Sequence, residues 1–344
     1  MKRKEWLTIA MVCVFLLAAA VGLYQYREAQ TNERPLPQGQ TSVTPQPDKQ
    51  PEQPIAHLWI TRDFGASTLL DEQVPIGQAE TVSDLLQDTV DEVETSYNGS
   101  FVQSIMGIGS TGSGEQKQDW FYYVNGKAAE VAATEYTVKA GDVVWWDYHS
   151  WKYAINTPAQ IGAYPHPFVD AAAEAAQTAV VMASPGYEAL ARQTAAWLTA
   201  HKAGQVKQIA WNDEELQAAH PLILVGDSKA LANSAFLRSL WEQKQQLGLF
   251  AELTADGIRT FDQYGKPRKV WTSGGTGTLL ATIHPATRQP LWIVSGTDRQ
   301  GVENAAALLR TDEAEQWPLQ PYFSVVLNQQ QKIQLPIVDK EVQQ

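Results

Sequence analysis

The side chains best able to do chemistry in this sequence are flat rings clustered within about thirty residues: Trp120, Tyr122, Trp145, Trp146, Tyr148 and Trp151, with His149 among them. Residues alternate sides along a strand, so Trp146 and Tyr148 share one face of the 143–148 run and Trp145 takes the other. One face is expected to form core, and the other to expose rings suited to a large planar ligand or a sugar. The bland alternative is that Trp120 and Trp145 only fill the interior of a small sheet. His149, just past the strand, is the candidate to approach a metal-centred macrocycle. A second group lies at strand ends: Gly226-Asp227-Ser228 and Gly296-Thr297-Asp298 each put an Asp near a helix start. There backbone N–H groups can hold an anion, or the Asp can cap the helix.

Other chemistries lack their residues. The His side chains (57, 149, 166, 201, 220, 284) are scattered, and no zinc spacing, nucleophile elbow or Ser-x-x-Lys has a supporting context. The glycine-rich stretch 109–114 has no Gly-Lys-Ser/Thr after it, so a nucleotide loop is not expected. No catalytic residue, metal site or cofactor is assigned, and an enzyme is the weaker class. A single Cys excludes intrachain disulfides and Cys-ligated clusters. The net charge of −12, with its one basic cluster at Lys2-Arg3-Lys4, argues against a nucleic-acid partner.

That cluster precedes an apolar run, 6–24, close to the ~20 residues a membrane helix needs. Positive charge on its N-terminal side places the rest outside the cytoplasm. Residues 1–26 thus read as a single-pass membrane anchor, with a cleaved signal peptide and secretion as the competing reading. Residues 27–54, rich in Pro, Gln and Thr, cannot bury enough apolar surface to offset chain entropy and are expected to be a disordered linker. With about 150 residues per domain, the remainder suits two domains.

The first, 55–152, reads as two strands about an Asp63-Phe64-Gly65 turn, then a helix over 81–90 with Thr81 as N-cap and Asp84 three residues on. A strand over 101–108 follows. An aromatic strand then ends in an Asn125-Gly126 hairpin turn, and the final strand covers 143–148. Residues 153–170 form an ordered connector. The second domain, 171–338, alternates strands (178–183, 206–211, 221–226, 291–295) with helices (186–202, 227–246, 300–310), implying a mainly parallel sheet. A β-rich insertion spans 250–283, a hairpin is expected over 322–338, and 339–344 is a tail. The fold class is α+β: a membrane helix, a domain of one helix crossing a small mixed aromatic sheet, then an α/β domain.

The segments Trp120-Phe-Tyr-Tyr-Val-Asn-Gly126, Tyr136-Thr-Val-Lys-Ala-Gly-Asp142 and Val144-Trp-Trp-Asp-Tyr148, with the preceding hairpin, helix and Ser104-Ile-Met-Gly-Ile-Gly109, resemble the transcobalamin-like C-terminal domain family over about 56–151. The resemblance implies a β-grasp-type fold, with cobalamin or a related corrinoid as ligand. It covers little over a quarter of the chain, and the large all-helical partner domain of the animal carriers has no counterpart here. The expectation is therefore a membrane-tethered extracytoplasmic binding protein that hands a small molecule, a corrinoid by resemblance, to a membrane importer. The alternatives are a surface adhesion module gripping glycan or protein, and an envelope carbohydrate-active enzyme using Asp227 or Asp298 as acid.

Overall fold

The structure, a computed structural model, describes residues 53–78, 80–111, 117–154, 156–169, 178–201, 203–310, 320–329 and 331–338. The expected anchor, nearly all of the linker, the core of the glycine-rich stretch and the tail lie outside the described residues. Among the described residues no helix is long and apolar enough to cross a membrane. Residues 53–344 form one compact unit, mixed α/β and rich in sheet.

Strands β1 (Ile55–Arg62) and β2 (Ser67–Pro75) form an antiparallel hairpin whose turn places Asp63, Phe64 and Gly65 at positive φ. At Gly65 this matters twice, because a Cβ would also collide with the Pro321 carbonyl oxygen. Helix α1 (Val82–Thr89) starts as its sequence dictates: Thr81 accepts from the Asp84 N–H, and the Asp84 carboxylate accepts from the Thr81 N–H. This reciprocal pair satisfies two donors that the helix cannot. Thr81→Ala is expected to lower stability by about 1 kcal/mol, read from chemical denaturation midpoints at constant slope.

The expected strand over 101–108 is instead β4 (Phe101–Ile105) and β5 (Ile108–Gly109), split by a turn at Met106-Gly107 and paired with each other, with β3 (Val93–Ser96) on the other side of β4. Strand β6 (Gln118–Val124) turns at Asn125-Gly126, both at positive φ, into β7 (Lys127–Ala128). Strand β8 (Val143–Ser150) runs parallel to β1 and antiparallel to β6 in a five-stranded sheet of order β2-β1-β8-β6-β7. Every residue of β8 is buried.

That burial follows from two coverings. On one face α1 and β4 pack Val82, Leu85, Leu86 and Ile105 against Leu58, Ile60, Val144 and Trp146. On the other, Trp59, Phe64, Tyr123 and Trp145 belong to the same cluster as the core of the second half. Phe323 meets Trp145 at 4.9 Å and Tyr123 at 5.2 Å between ring centroids, and Phe250 meets Phe64 at 5.2 Å.

The second half contains β9 (Ala179–Ala183), α2 (Glu188–Ala200), β10 (Val206–Ala210), β11 (Leu222–Asp227), α3 (Ser228–Ala232) and α4 (Ala235–Glu242). Strands β12 (Ala251–Thr254), β13 (Gly257–Phe261) and β14 (Pro267–Trp271) make a separate antiparallel sheet. Strands β15 (Gly277–Ile283) and β16 (Pro290–Gly296), helix α5 (Arg299–Leu308) and the hairpin β17 (Ser324–Asn328) and β18 (Gln331–Leu335) complete the chain. The main sheet has the order β10-β9-β11-β16-β15-β17-β18.

Three expectations are corrected. The sheet is parallel only from β10 to β16; its other half is antiparallel, so it is mixed. The helix expected from 186 is α2, which begins at Glu188 because Gly186 takes a φ of 89° outside the helical region. The single helix expected over 227–246 is two, because Ser234 accepts from the Leu237 N–H and starts a new helix.

Candidate functional site

The ring cluster is brought together, but inside the fold. Trp120, Trp146 and Tyr148 are 6%, 3% and 4% exposed, and all three belong to the core beneath α1. Trp145 is fully buried on the opposite face. Alternation along the strand thus separates the rings as expected, while the expected exposed ring face is absent because both faces are covered. The polar atoms point inward too: Trp120 Nε1 donates to the Ile108 carbonyl (2.8 Å), and the Tyr148 hydroxyl donates to the Gly109 carbonyl (2.9 Å). Half-buried Tyr122 stacks on Trp146 at 5.0 Å and donates to the Val131 carbonyl. Burial, then the nearby Glu135 charge, pushes its hydroxyl up to about 12. Trp151 is half-buried, with the Lys117 ammonium 4.9 Å from its ring centre.

His149 lies within β8, 1% exposed, and does not face outward as expected. Its ring is stacked between Phe64 (4.3 Å) and Phe121 (4.4 Å), and its Nδ1 is 2.7 Å from Asp147 Oδ2. Asp147, fully buried, also accepts from the N–H groups of Phe64 (3.0 Å) and Gly65 (2.9 Å) and from the Thr61 hydroxyl. Thr61 in turn accepts from Trp145 Nε1 at 2.6 Å. A buried carboxylate with this many donors is a satisfied structural hub that fixes the β1–β2 turn. An Asp in the middle of an otherwise apolar and aromatic strand was the available sequence signal for it.

The strand-end turns are caps. Asp227 accepts from the Ala230 N–H (2.8 Å), and Asp298 from the N–H groups of Gly301 (2.8 Å) and Gly275 (3.0 Å). Ser228 is buried as the first residue of α3, and the Thr297 hydroxyl donates to the Ser273 carbonyl (2.8 Å). At each turn the Asp side chain thus engages one helix-start donor, as a cap does. The Tyr187 hydroxyl, hydrogen-bonded to Asp227, is pushed up to about 12, chiefly by burial and then by that carboxylate.

The open concavity lies beside these turns. Strand β9 pairs with β10 on one side and β11 on the other, so the chain's course across the sheet reverses at β9. Ligands in open α/β sheets gather outside the carboxyl ends of strands at such a reversal. A groove of about 660 Å³ occupies that place, within the ~300–1,000 Å³ typical of small-molecule sites. Its walls come from Ser184 and Pro185 after β9, from 211–217 after β10, and from the α3–α4 break. The break matters because a continuous helix would present no open N-terminal turn there.

The walls are firmly held. Trp211 Nε1 donates to Asp213 (2.9 Å), and buried Leu216 accepts at its carbonyl from His284 Nε2 (2.9 Å). Phe236 stacks on His284 at 5.2 Å. The other His284 nitrogen accepts from the N–H groups of Ala286 (3.2 Å) and Thr287 (3.1 Å), an arrangement only neutral imidazole can make. Desolvation by burial accordingly lowers its pKa below the ordinary 6.5. The unfolded chain therefore binds this proton first, and stability falls as pH drops below about 6.5 toward the native value. Melting temperatures from pH 7.5 to 5.5 are expected to fall less steeply in His284→Asn than in the parent chain.

Ser184 is 3% exposed, and its hydroxyl has no hydrogen-bond partner among the described residues. It rests on Gly226, where a Cβ would collide with it, so the two residues fix each other at the groove's inner end. Sequence reasoning pointed to the neighbouring Asp227-Ser228 strand end but not to Trp211, Asn233 or Phe236, which only the crossover and the helix break bring together.

No curated protein matches the chain. Over residues 79–150, which span α1 to the end of β8 and exclude the groove, the sequence matches the family model described as "Domain of unknown function (DUF4430)".

Proposed function

We propose that the chain is an extracytoplasmic ligand-binding protein, tethered by its N-terminal apolar segment, that holds a small molecule at the carboxyl edge of the main sheet. The observation that carries this reading is the position of the groove at the sheet's reversal point, with hydrogen-bonded walls and a buried hydroxyl at its inner end that has no partner among the described residues. The tether rests on the basic cluster and apolar run alone. The matched domain is one found in transcobalamin-like proteins, which supports the β-grasp resemblance and makes a corrinoid the first ligand to test. With the rings of the aromatic sheet buried, a corrinoid would have to enter the groove, and delivery to a membrane importer would follow from that ligand.

Equilibrium dialysis of the full-length chain tests the reading, using cyanocobalamin and a panel of sugars, amines, nucleosides and phosphates. At least one compound is expected to bind saturably. Ala235→Trp, which adds bulk at an exposed groove position, is expected to abolish that binding with the melting temperature unchanged. Absence of saturable binding across the panel overturns the reading, as does binding that Ala235→Trp leaves intact.

A further inference from the structure

We infer that the groove at the β9 reversal point takes a neutral, polyhydroxylated ligand of the oligosaccharide class. This rests on the binding-protein reading above and specifies its ligand.

Charge gives the first argument. Among the described residues no Lys, Arg or His lines the groove, and the one ionisable side chain there is the carboxylate Asp213. A phosphate or carboxylate ligand would find no counter-charge and would enter against the field of a chain carrying −12. The ligand class is therefore not anionic.

Hydrogen-bonding capacity gives the second. The hydroxyl of Ser184 is buried and unpartnered, and the side-chain amides of Gln217 and Asn233 make no hydrogen bond among the described residues. The first-turn N–H groups of Ala235 and Phe236 have no intrahelical acceptor. Hydroxyl and amide groups combine donor and acceptor capacity, as a sugar hydroxyl does.

Shape gives the third. Trp211 is half-buried at the groove wall, and its indole is held in orientation by the bond from Nε1 to Asp213. A fixed, partly exposed ring beside hydroxyl, amide and carboxylate groups matches the two sides of a pyranose. The apolar C–H face can lie on the ring while the hydroxyl edge meets the polar wall. Asp213 accepts only, so it suits a sugar hydroxyl as donor.

Titration calorimetry of the full-length chain with cellotetraose, chitotetraose and maltotetraose tests the inference, with choline and inorganic phosphate as contrasting probes. One oligosaccharide is expected to bind saturably at or below millimolar concentration. Trp211→Ala should weaken it about tenfold or more, and Trp211→Phe, which keeps a flat ring, should weaken it less. Circular dichroism checks that both variants fold. If choline or phosphate binds through the groove and no oligosaccharide does, the ligand class is overturned while the binding-protein reading stands. If an oligosaccharide binds with unchanged affinity in Trp211→Ala, the placement fails. If none of the probes nor any panel compound binds, both readings fall together.

Discussion

Asp147→Ala is expected to remove about 3–5 kcal/mol of folding stability, a large share of the ~5–15 kcal/mol typical of a domain. The carboxylate is wholly buried and serves four donors: the N–H groups of Phe64 and Gly65, the Thr61 hydroxyl and the His149 ring. Removing it strands those donors where water does not reach, and each unmet group costs about 1–3 kcal/mol. Asp147→Asn should fall between the two, because one amide oxygen cannot accept from all four and its NH₂ faces a donor. Urea denaturation of the three proteins measures the series. A loss under about 1 kcal/mol for the Ala variant would show that water takes over the hub and that it contributes little.

Trp145→Ala is expected to cost a similar ~3–5 kcal/mol for a different reason. The indole lies between Trp59, Tyr123 and Phe323, with centroids 4.9–5.8 Å away, so truncation opens a void between the five-stranded sheet and the second half of the chain. The cluster it belongs to extends from β1 to β18, so the loss should lower one shared unfolding transition and not release one half early. Differential scanning calorimetry reads this directly. A second, separate heat peak in the variant would mean that the two halves melt independently. Because Trp145 also donates to Thr61, itself bound to Asp147, the two substitutions should combine non-additively.

What the sequence made legible was local. The Thr81–Asp84 pair, the Asn125-Gly126 turn and the Asp298 cap are each set by neighbours within a few residues, and each lies where the pattern put it. Alternation likewise assigned Trp145 and Trp146 to opposite faces. It carries no information on what covers a face, and here α1 covers one while Phe323 and Phe250, more than a hundred residues away in sequence, cover the other. The helix break at Asn233-Ser234 was hidden for a related reason. Ala230, Leu237 and Trp241 keep apolar helical spacing across it, and a lone Ser is common on a helix surface. The groove depends on that break and on the crossover order of β9, β10 and β11, neither of which is a property of any short stretch.

Several indoles are used as hydrocarbon: the N–H groups of buried Trp59, Trp146, Trp241 and Trp292 have no partner among the described residues. Indoles in such dry surroundings emit at short wavelength, so most of the native protein's intrinsic fluorescence should sit at the blue end and ignore the solvent. Trp211, half-buried at the groove, should supply the red edge together with half-buried Trp151 and Trp197. Quenching by acrylamide should remove that edge first, and a bound molecule that shields the groove should protect the share that Trp211→Phe removes, giving the protein an optical gauge of its own occupancy.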